Sequence, residues 1–428
     1  MYNLRGGFLV RPLAIAATLG IAGAVFSWLE EDFPQVSAWV PRALFPSHAD
    51  PQVAQVVLTA IAGSIMTVVS IVFAILLMSL TLASMQFSPR ILLSFARDGV
   101  TQWTLGIFLG TFSYCVAALP AARSVPRPFA PVGTVLGAML LAIACVGWLL
   151  FFIHHISRAI SVNFIVDKIA SETEHMVMEM MPWPYHARER GPNPASLVSW
   201  DGSVPSKTSG YIRYLDTNRL VSLAKKYHVK LQVLRRVGHF VPAGVPLVMV
   251  SKGERVTPEA AAELRVAFDL GPVRTLQQDV EFGVLQIVDV ALKAISPAVN
   301  DPSTAINCID QLSRILICFA SRSPRESALY DPPGVFRVSV PWIQFEGLLE
   351  SAFEQIRMYS RSDVAVSLRL LRALNDIAAT TTDPDCRRML VELGRRVVAG
   401  CAVHLGEEHL RNLQLRLAKF EGISTASP

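Results

Sequence analysis

Residues 86–114 read QFSPRILLSFARDGVTQWTLGIFLGTFSY, and the fold class turns on this stretch. The run before it, residues 53–85, has no charged side chain, so it belongs in hydrocarbon. The chain then turns through Pro89, Arg90, Arg97 and Asp98 and becomes apolar again from Thr101, with Gly106 and Gly110 inside the new run. Ser88 and Pro89 suit the cap and first position of a short helix. Ile91, Leu92, Leu93 and Phe95 on that helix suit the membrane interface, while Arg90 and Arg97 reach headgroup phosphates. The stretch predicts a membrane hairpin with a basic corner, which is a candidate element for coupling the membrane part to the rest of the chain.

Working outward, four apolar segments are expected to cross the membrane, at about 8–29, 53–85, 101–120 and 129–153, in a membrane domain over 1–160. Ala22-Gly23-Ala24 also reads as a cleavage site, but the first segment is long and further spans follow, which favours a retained helix. Glu30 to Pro51 reads as a polar, acidic loop. The second segment exceeds the roughly 20 residues that a span needs, so it tilts or projects beyond the hydrocarbon. Gly63, Thr67, Ser70, Thr81 and Ser84 recur on one of its faces. That face either packs closely against another helix or lines a wet pathway. Gly106/Gly110 and Gly133/Gly137 mark two more sites of close helix approach.

Arg5, Arg11, Arg90, Arg97, Arg158 and Lys168 gather on one side of the membrane, against Arg42, Arg123 and Arg127 on the other. The positive-inside rule then predicts both termini in the cytoplasm. Hydrophobic residues make up 52% of the chain and charged residues 17%, with a mean hydropathy of +0.40. That excess of apolar residues sits mostly before residue 154, so a water-soluble part is expected to follow. The net charge of +5 comes without a basic stripe, which gives no support for nucleic-acid binding. The six cysteines form no Cys-x-x-Cys pair and read as reduced thiols.

The remainder divides into a helix and linker (161–208), a small β-rich unit (209–253) and an α-helical region (254–428). Within the β-rich unit, GHFVPAGVPL (238–247) is similar to the turn of hammerhead domains. It lacks a Met-Lys-Met attachment motif, so no cofactor is expected.

Chemistry is sought first at Arg274, Asp279 and Asp289, together with Asn300, Asp301, Ser303 and Thr304. A polar stripe on a buried helix calls for paired groups, and the helix start at Asp301 offers free N–H groups to an anion. The alternative is structural, with Asp301 as cap, Pro302 as first residue and Arg274 in an ion pair. His404 and His409 are five apart and do not share a helix face, so no metal site is expected. Spans two to four hold no Asp, Glu, Lys or Arg, which argues against a proton-coupled pump or voltage sensor. No Walker, Gly-x-Ser-x-Gly or His-Glu-x-x-His motif occurs, so enzymatic activity has no motif behind it.

Three stretches together resemble the bacterial membrane-protein family catalogued as domain of unknown function 2254. They are SPRILLSFARDGVTQWTLGIFLGTFSY, the SGYIRYLD and GHFVPAGVPL unit, and RTLQQDVEFGVLQIVDVALKAISPAVNDPSTA. The resemblance implies a bacterial inner-membrane protein with a soluble C-terminal part. It also implies a basic and an acidic residue where this chain has Leu285 and His239. The residues themselves lead to the expectation of a homo-oligomeric channel or passive transport protein gated by its cytosolic part. The alternative is a non-conducting, membrane-anchored scaffold or sensor. The expected partners are the lipid bilayer and further copies of the chain.

Overall fold

A computed structural model describes residues 10–33, 50–86, 99–125, 128–159, 161–182 and 194–425. The basic corner with Arg90, Arg97 and Asp98 lies outside the described residues. The chain forms two compact units, Met1–Ser161 and Val162–Pro428.

Among its described residues, the first unit holds four helices long and apolar enough to cross a membrane: α1 (Val10–Asp32), α2 (Pro51–Gln86), α3 (Gly99–Ala118) and α4 (Val132–Ala159). At 1.5 Å per residue, α2 is roughly 54 Å long, well beyond a hydrocarbon core of about 30 Å. Apolar side chains gain little from leaving lipid for protein, so close packing and polar pairing must hold such helices together. Both Gly-x-x-x-Gly pairs are used within the chain. A Cβ on Gly106 would come within 2.6 Å of Ile15, and one on Gly110 would overlap Leu19, so α3 lies tight against α1. A Cβ on Gly137 would stand 2.6 Å from the Tyr114 hydroxyl, which donates to the Thr134 carbonyl across 3.3 Å. Leu58, Cys115, Val135 and Ala138 fill the contact of α2, α3 and α4 at one level, and Val72, Phe108, Cys145 and Phe152 fill it at another.

Glu30 corrects the loop read at 30–51. It belongs to α1 and is 1% exposed. Its carboxylate accepts from the backbone N–H groups of Gly133 (2.7 Å) and Thr134 (3.0 Å) and from the Thr134 hydroxyl (2.9 Å). An acid at the positive end of a helix can be satisfied without a counter-ion, and here that helix is α4. Next door, Glu31 pairs with Arg123.

The second unit is mixed. Helix α5 (Val162–Met180) comes first. The strands that follow are β1 (Gly202–Pro205), β2 (Gly210–Leu215), β3 (Leu231–Val233), β4 (Phe240–Val241), β5 (Pro246–Val250), β6 (Phe268–Gly271), β7 (Ala328–Asp331) and β8 (Val335–Ser339). They build a five-stranded sheet in the order β1-β5-β3-β8-β7 and a three-stranded sheet in the order β4-β2-β6. Only β3–β8 is parallel, with Leu231 opposite Val338. The strands therefore extend beyond residues 209–253. Ile212, Leu231, Val241, Val248 and Val338 share one core with Leu220 of α6 (Thr217–Lys226) and Leu264 of α7 (Pro258–Val266).

Helices α8 (Val280–Ile295), α9 (Pro302–Ala320), α10 (Phe345–Tyr359), α11 (Val364–Thr380), α12 (Pro384–Cys401) and α13 (Glu407–Thr425) complete the unit. In α9, Ala305, Cys308, Ile309, Leu312, Ile315, Leu316 and Phe319 are buried. The i, i+3, i+4, i+7 spacing explains why α9 packs against α5, α8 and α11. Each large apolar side chain so buried contributes roughly 1.5–3 kcal/mol. Asp216, Asp279, Asp301 and Asp363 each cap a helix by accepting from the backbone N–H three residues on, and Asp383 does so from the N–H two residues on. All six cysteines are free thiols, and burial pushes the Cys308 thiol up to about 12.

Candidate functional site

The polar centre of the second unit is assembled from four pieces of chain. The β3–β4 turn supplies Arg236, Gly238 and His239. The segment before α8 supplies Arg274, Gln278 and Asp279. The first turn of α8 supplies Glu281, and α10 supplies Ser351. The turn brings its backbone so close that only glycine fits. Gly238 has φ +90°, and a Cβ there would overlap the Asp279 carboxylate and lie 2.7 Å from Arg274 Nη2.

Arg274 grips Asp279 with two donors, Nε to Oδ2 at 2.7 Å and Nη2 to Oδ1 at 2.8 Å. Nη2 also donates to Glu281 Oε2 at 2.9 Å. From the other side, Arg236 Nη2 donates to Glu281 Oε1 at 2.8 Å, and the Ser351 hydroxyl donates to the same oxygen at 2.9 Å. Arg236 Nε donates to His239 Nε2 at 2.8 Å, which requires an unprotonated nitrogen there. Asp279 also caps α8 by accepting from Phe282 N at 3.1 Å. Gln278 clips this segment to β2, accepting from Leu215 N at 3.0 Å.

The titrations follow from this geometry. Burial, and then the Arg236 charge, push His239 below its ordinary value of 6.5, so the imidazole is neutral at physiological pH. Burial works against the Glu281 carboxylate, but the hydrogen bonds and charges of Arg236 and Arg274 outweigh it and hold the group below the usual range. Burial pushes Asp279 up, while the doubly bonded Arg274 pulls it back. Both carboxylates are already filled with donors, so neither is poised as a general base.

Beside this network is a small cleft of about 30 Å³, lined by Met180, Met181, Arg236, Gln278, Asp279, Phe319, Arg325 and Trp342. One wall is fixed by Arg322, whose Nη1 donates to the Met181 carbonyl at 3.0 Å. The Arg325 guanidinium stacks on Trp342, 3.7 Å from the ring centroid.

Of the residues singled out from the sequence, Arg274 and Asp279 meet. Asn300, Asp301, Ser303 and Thr304 do not join them. They sit beyond the far end of α8, whose 16 residues span roughly 24 Å. There Asp301 takes Thr304 N at 3.1 Å and Thr304 Oγ1 at 2.6 Å, and Asn300 has φ +48°. This end is a helix cap. Asp289 lies midway along α8, away from both groups. The helix expected from Arg274 begins at Val280, because Asp279 is its cap. In α2, Gly63, Thr67, Ser70 and Thr81 are all exposed on the chain. The three hydroxyls donate to their own i−4 carbonyls. Ser84 lies in the same helix. Among the described residues no group of three or more His, Cys, Asp and Glu could hold a metal.

The sequence reading missed Arg236, Glu281, Ser351, Arg325 and Trp342. Glu281 left the only usable signal, an acid two residues from Asp279 at an apolar helix start. The others come from distant segments.

Over residues 5–376 the chain matches the family described as "Predicted membrane protein (DUF2254)". It belongs to that family. Relatives in Mycobacterium bovis and Mycobacterium tuberculosis, each named an uncharacterized protein, are 30% identical over 400 residues, covering 91% of this chain and 75% of theirs. No solved structure matches the chain. The family match spans both units, so the arginine–carboxylate network and the charge-free α2 both lie within this predicted membrane protein.

Proposed function

We propose that this chain works as a homo-oligomeric channel or passive transport protein of the bacterial inner membrane. In this reading both termini and the second unit are cytoplasmic, and the second unit gates the conduit. The observation that carries the reading is the face of α2. Gly63 has nothing within 4 Å of where a Cβ would stand, and the small and hydroxyl residues around it are exposed in a helix without charge. The other small-residue pairs are already used inside the chain, so α2 is the span left to meet another copy or to line a pathway. Hydroxyls with spare lone pairs and an uncharged wall suit passive permeation rather than proton-coupled pumping.

The test is flux across proteoliposomes, with wild type against Gly63→Leu. A Cβ at this position meets no described atom within 4 Å, and leucine is a stronger helix former than glycine, so the variant is expected to fold. Wild type passes ions or small solutes down a gradient, and the variant passes fewer. Absence of flux from wild type under any gradient would sink the conduit.

A second reading, a non-conducting membrane-anchored scaffold or sensor, is favoured by one observation. The second unit has a cleft whose wall includes an arginine, Arg325, with no carboxylate partner among the described residues.

A further inference from the structure

We infer that the cleft between Arg236, Arg325 and Trp342 binds a small carboxylate or phosphate group. The anion lies against the Arg325 guanidinium and Arg236 Nη1, and the rest of the ligand lies against Met180, Met181 and Phe319. The inference is independent of the conduit reading.

Several arginines of this unit have a carboxylate of their own: Arg274 has Asp279, Arg236 has Glu281, Arg314 has Glu174, Arg357 has Glu354 and Arg369 has Asp310, and Arg235, Arg265, Arg322 and Arg387 donate to backbone carbonyls. Arg325 is half-buried, stacked on Trp342, and has no ion-pair or hydrogen-bond partner among the described residues. Burial pushes its pKa below the usual arginine range, with only a weak opposing pull from Tyr214. A half-buried cation without a carboxylate partner carries part of the desolvation cost of a buried one, and an arriving anion relieves it. Among the described residues around the cleft, Arg236, Arg274, Arg322 and Arg325 stand against Asp279 and Glu281, and His239 is neutral, which leaves a surplus of positive charge.

Arg236 uses Nε and Nη2 on His239 and Glu281, so Nη1 remains for a ligand. A guanidinium held 3.7 Å over an indole is ordered by that contact, and its N–H fork suits two anionic oxygens. A cleft of about 30 Å³ accepts roughly two waters. That is the scale of one carboxylate or phosphate head. The apolar side chains at its rim admit a short hydrocarbon stem, so the head can be a free anion or the end of an amphiphile.

The full chain in a neutral detergent is titrated with inorganic phosphate, acetate and hexanoate, against chloride at matched ionic strength. Calorimetry and the unfolding temperature are the readouts. Wild type binds at least one of the three and is stabilised beyond the chloride control. Hexanoate above acetate indicates an amphiphile, and phosphate above both indicates a free anion. Arg325→Gln binds about tenfold more weakly, while its ligand-free unfolding temperature changes little, because the lost contact with Trp342 is offset by the relief of an unpaired cation. Should that variant misfold, Arg325→Lys retains the charge, loses the planar fork and binds measurably but more weakly. Binding no better than chloride for all three anions, or equal binding by wild type and Arg325→Gln, overturns the inference.

Discussion

Glu30 and Glu281 are both nearly buried carboxylates, one in each unit, and they are satisfied by opposite means. Glu30 is met by two backbone N–H groups and a hydroxyl at the start of one helix, with no cation in contact among the described residues. Glu281 is met by two arginines and a serine drawn from three separate segments. In the membrane unit the helix dipole absorbs a charge that would otherwise need a costly partner in lipid. In the second unit, ion pairing builds a network, and a network can carry a surplus. That surplus appears at Arg325. The comparison separates a unit built for electrostatic quiet from one able to respond to a charged ligand.

The largest effect expected from breaking this contrast is at Asp279. Asp279→Ala strips Arg274 of its two-pronged partner and removes the cap of α8. A buried ion pair broken on one side costs about 3–5 kcal/mol, and the cap adds about 1 kcal/mol. Chemical denaturation of the full chain in detergent should show the second unit losing most of its stability. Next comes Glu30→Ala, which leaves two N–H groups and a hydroxyl without acceptors inside the membrane unit. The cost is about 1–3 kcal/mol for each group that finds no other partner, read as a lower unfolding temperature of that unit. Glu30→Gln retains one acceptor oxygen and should lose about half as much.

The smallest effect is a pH dependence. His239 is depressed in the folded state, so the unfolded chain binds its proton more readily than the folded one. This contribution to stability is whole above about pH 6.5 and is lost as pH falls below it. Protonation also turns Nε2 into a donor facing the Arg236 donor. Glu281 has the same sign lower down, its stabilisation vanishing as pH falls through its depressed value. In His239→Gln the amide oxygen still accepts from Arg236, so the fall in unfolding temperature between about pH 7 and pH 5 should flatten. An unchanged slope would assign that limb to the carboxylates.

The sequence made the first unit legible because membrane spans announce themselves within a single run of residues. The charge-free 53–85 and 129–153 became helices α2 and α4 with little change. What it hid there was Glu30, since a charge at the end of an apolar run looks like a loop until the start of α4 is seen to receive it. The second unit was less readable for a topological reason. Strands β7 and β8 are only four and five residues long and lie amid helices, and β8 pairs with β3 about a hundred residues away in sequence. Arg274 and Asp279 were found because they are five residues apart. Arg325 and Trp342 needed the fold, as nothing in SRSPRESALY around Arg325 marks it for an indole 17 positions on. The acidic residue expected at 239 is a neutral histidine here, and it fits because Arg236 already has Glu281.

The central claim is that α2 presents its small-residue face to other copies of the chain around a pathway. Imaging the particle in detergent tests it most directly. The account predicts a closed rotational symmetry with Gly63, Thr67 and Ser70 of every copy turned toward the axis and an opening along it. A monomeric particle, or an oligomer whose α2 faces point outward to lipid, would contradict it.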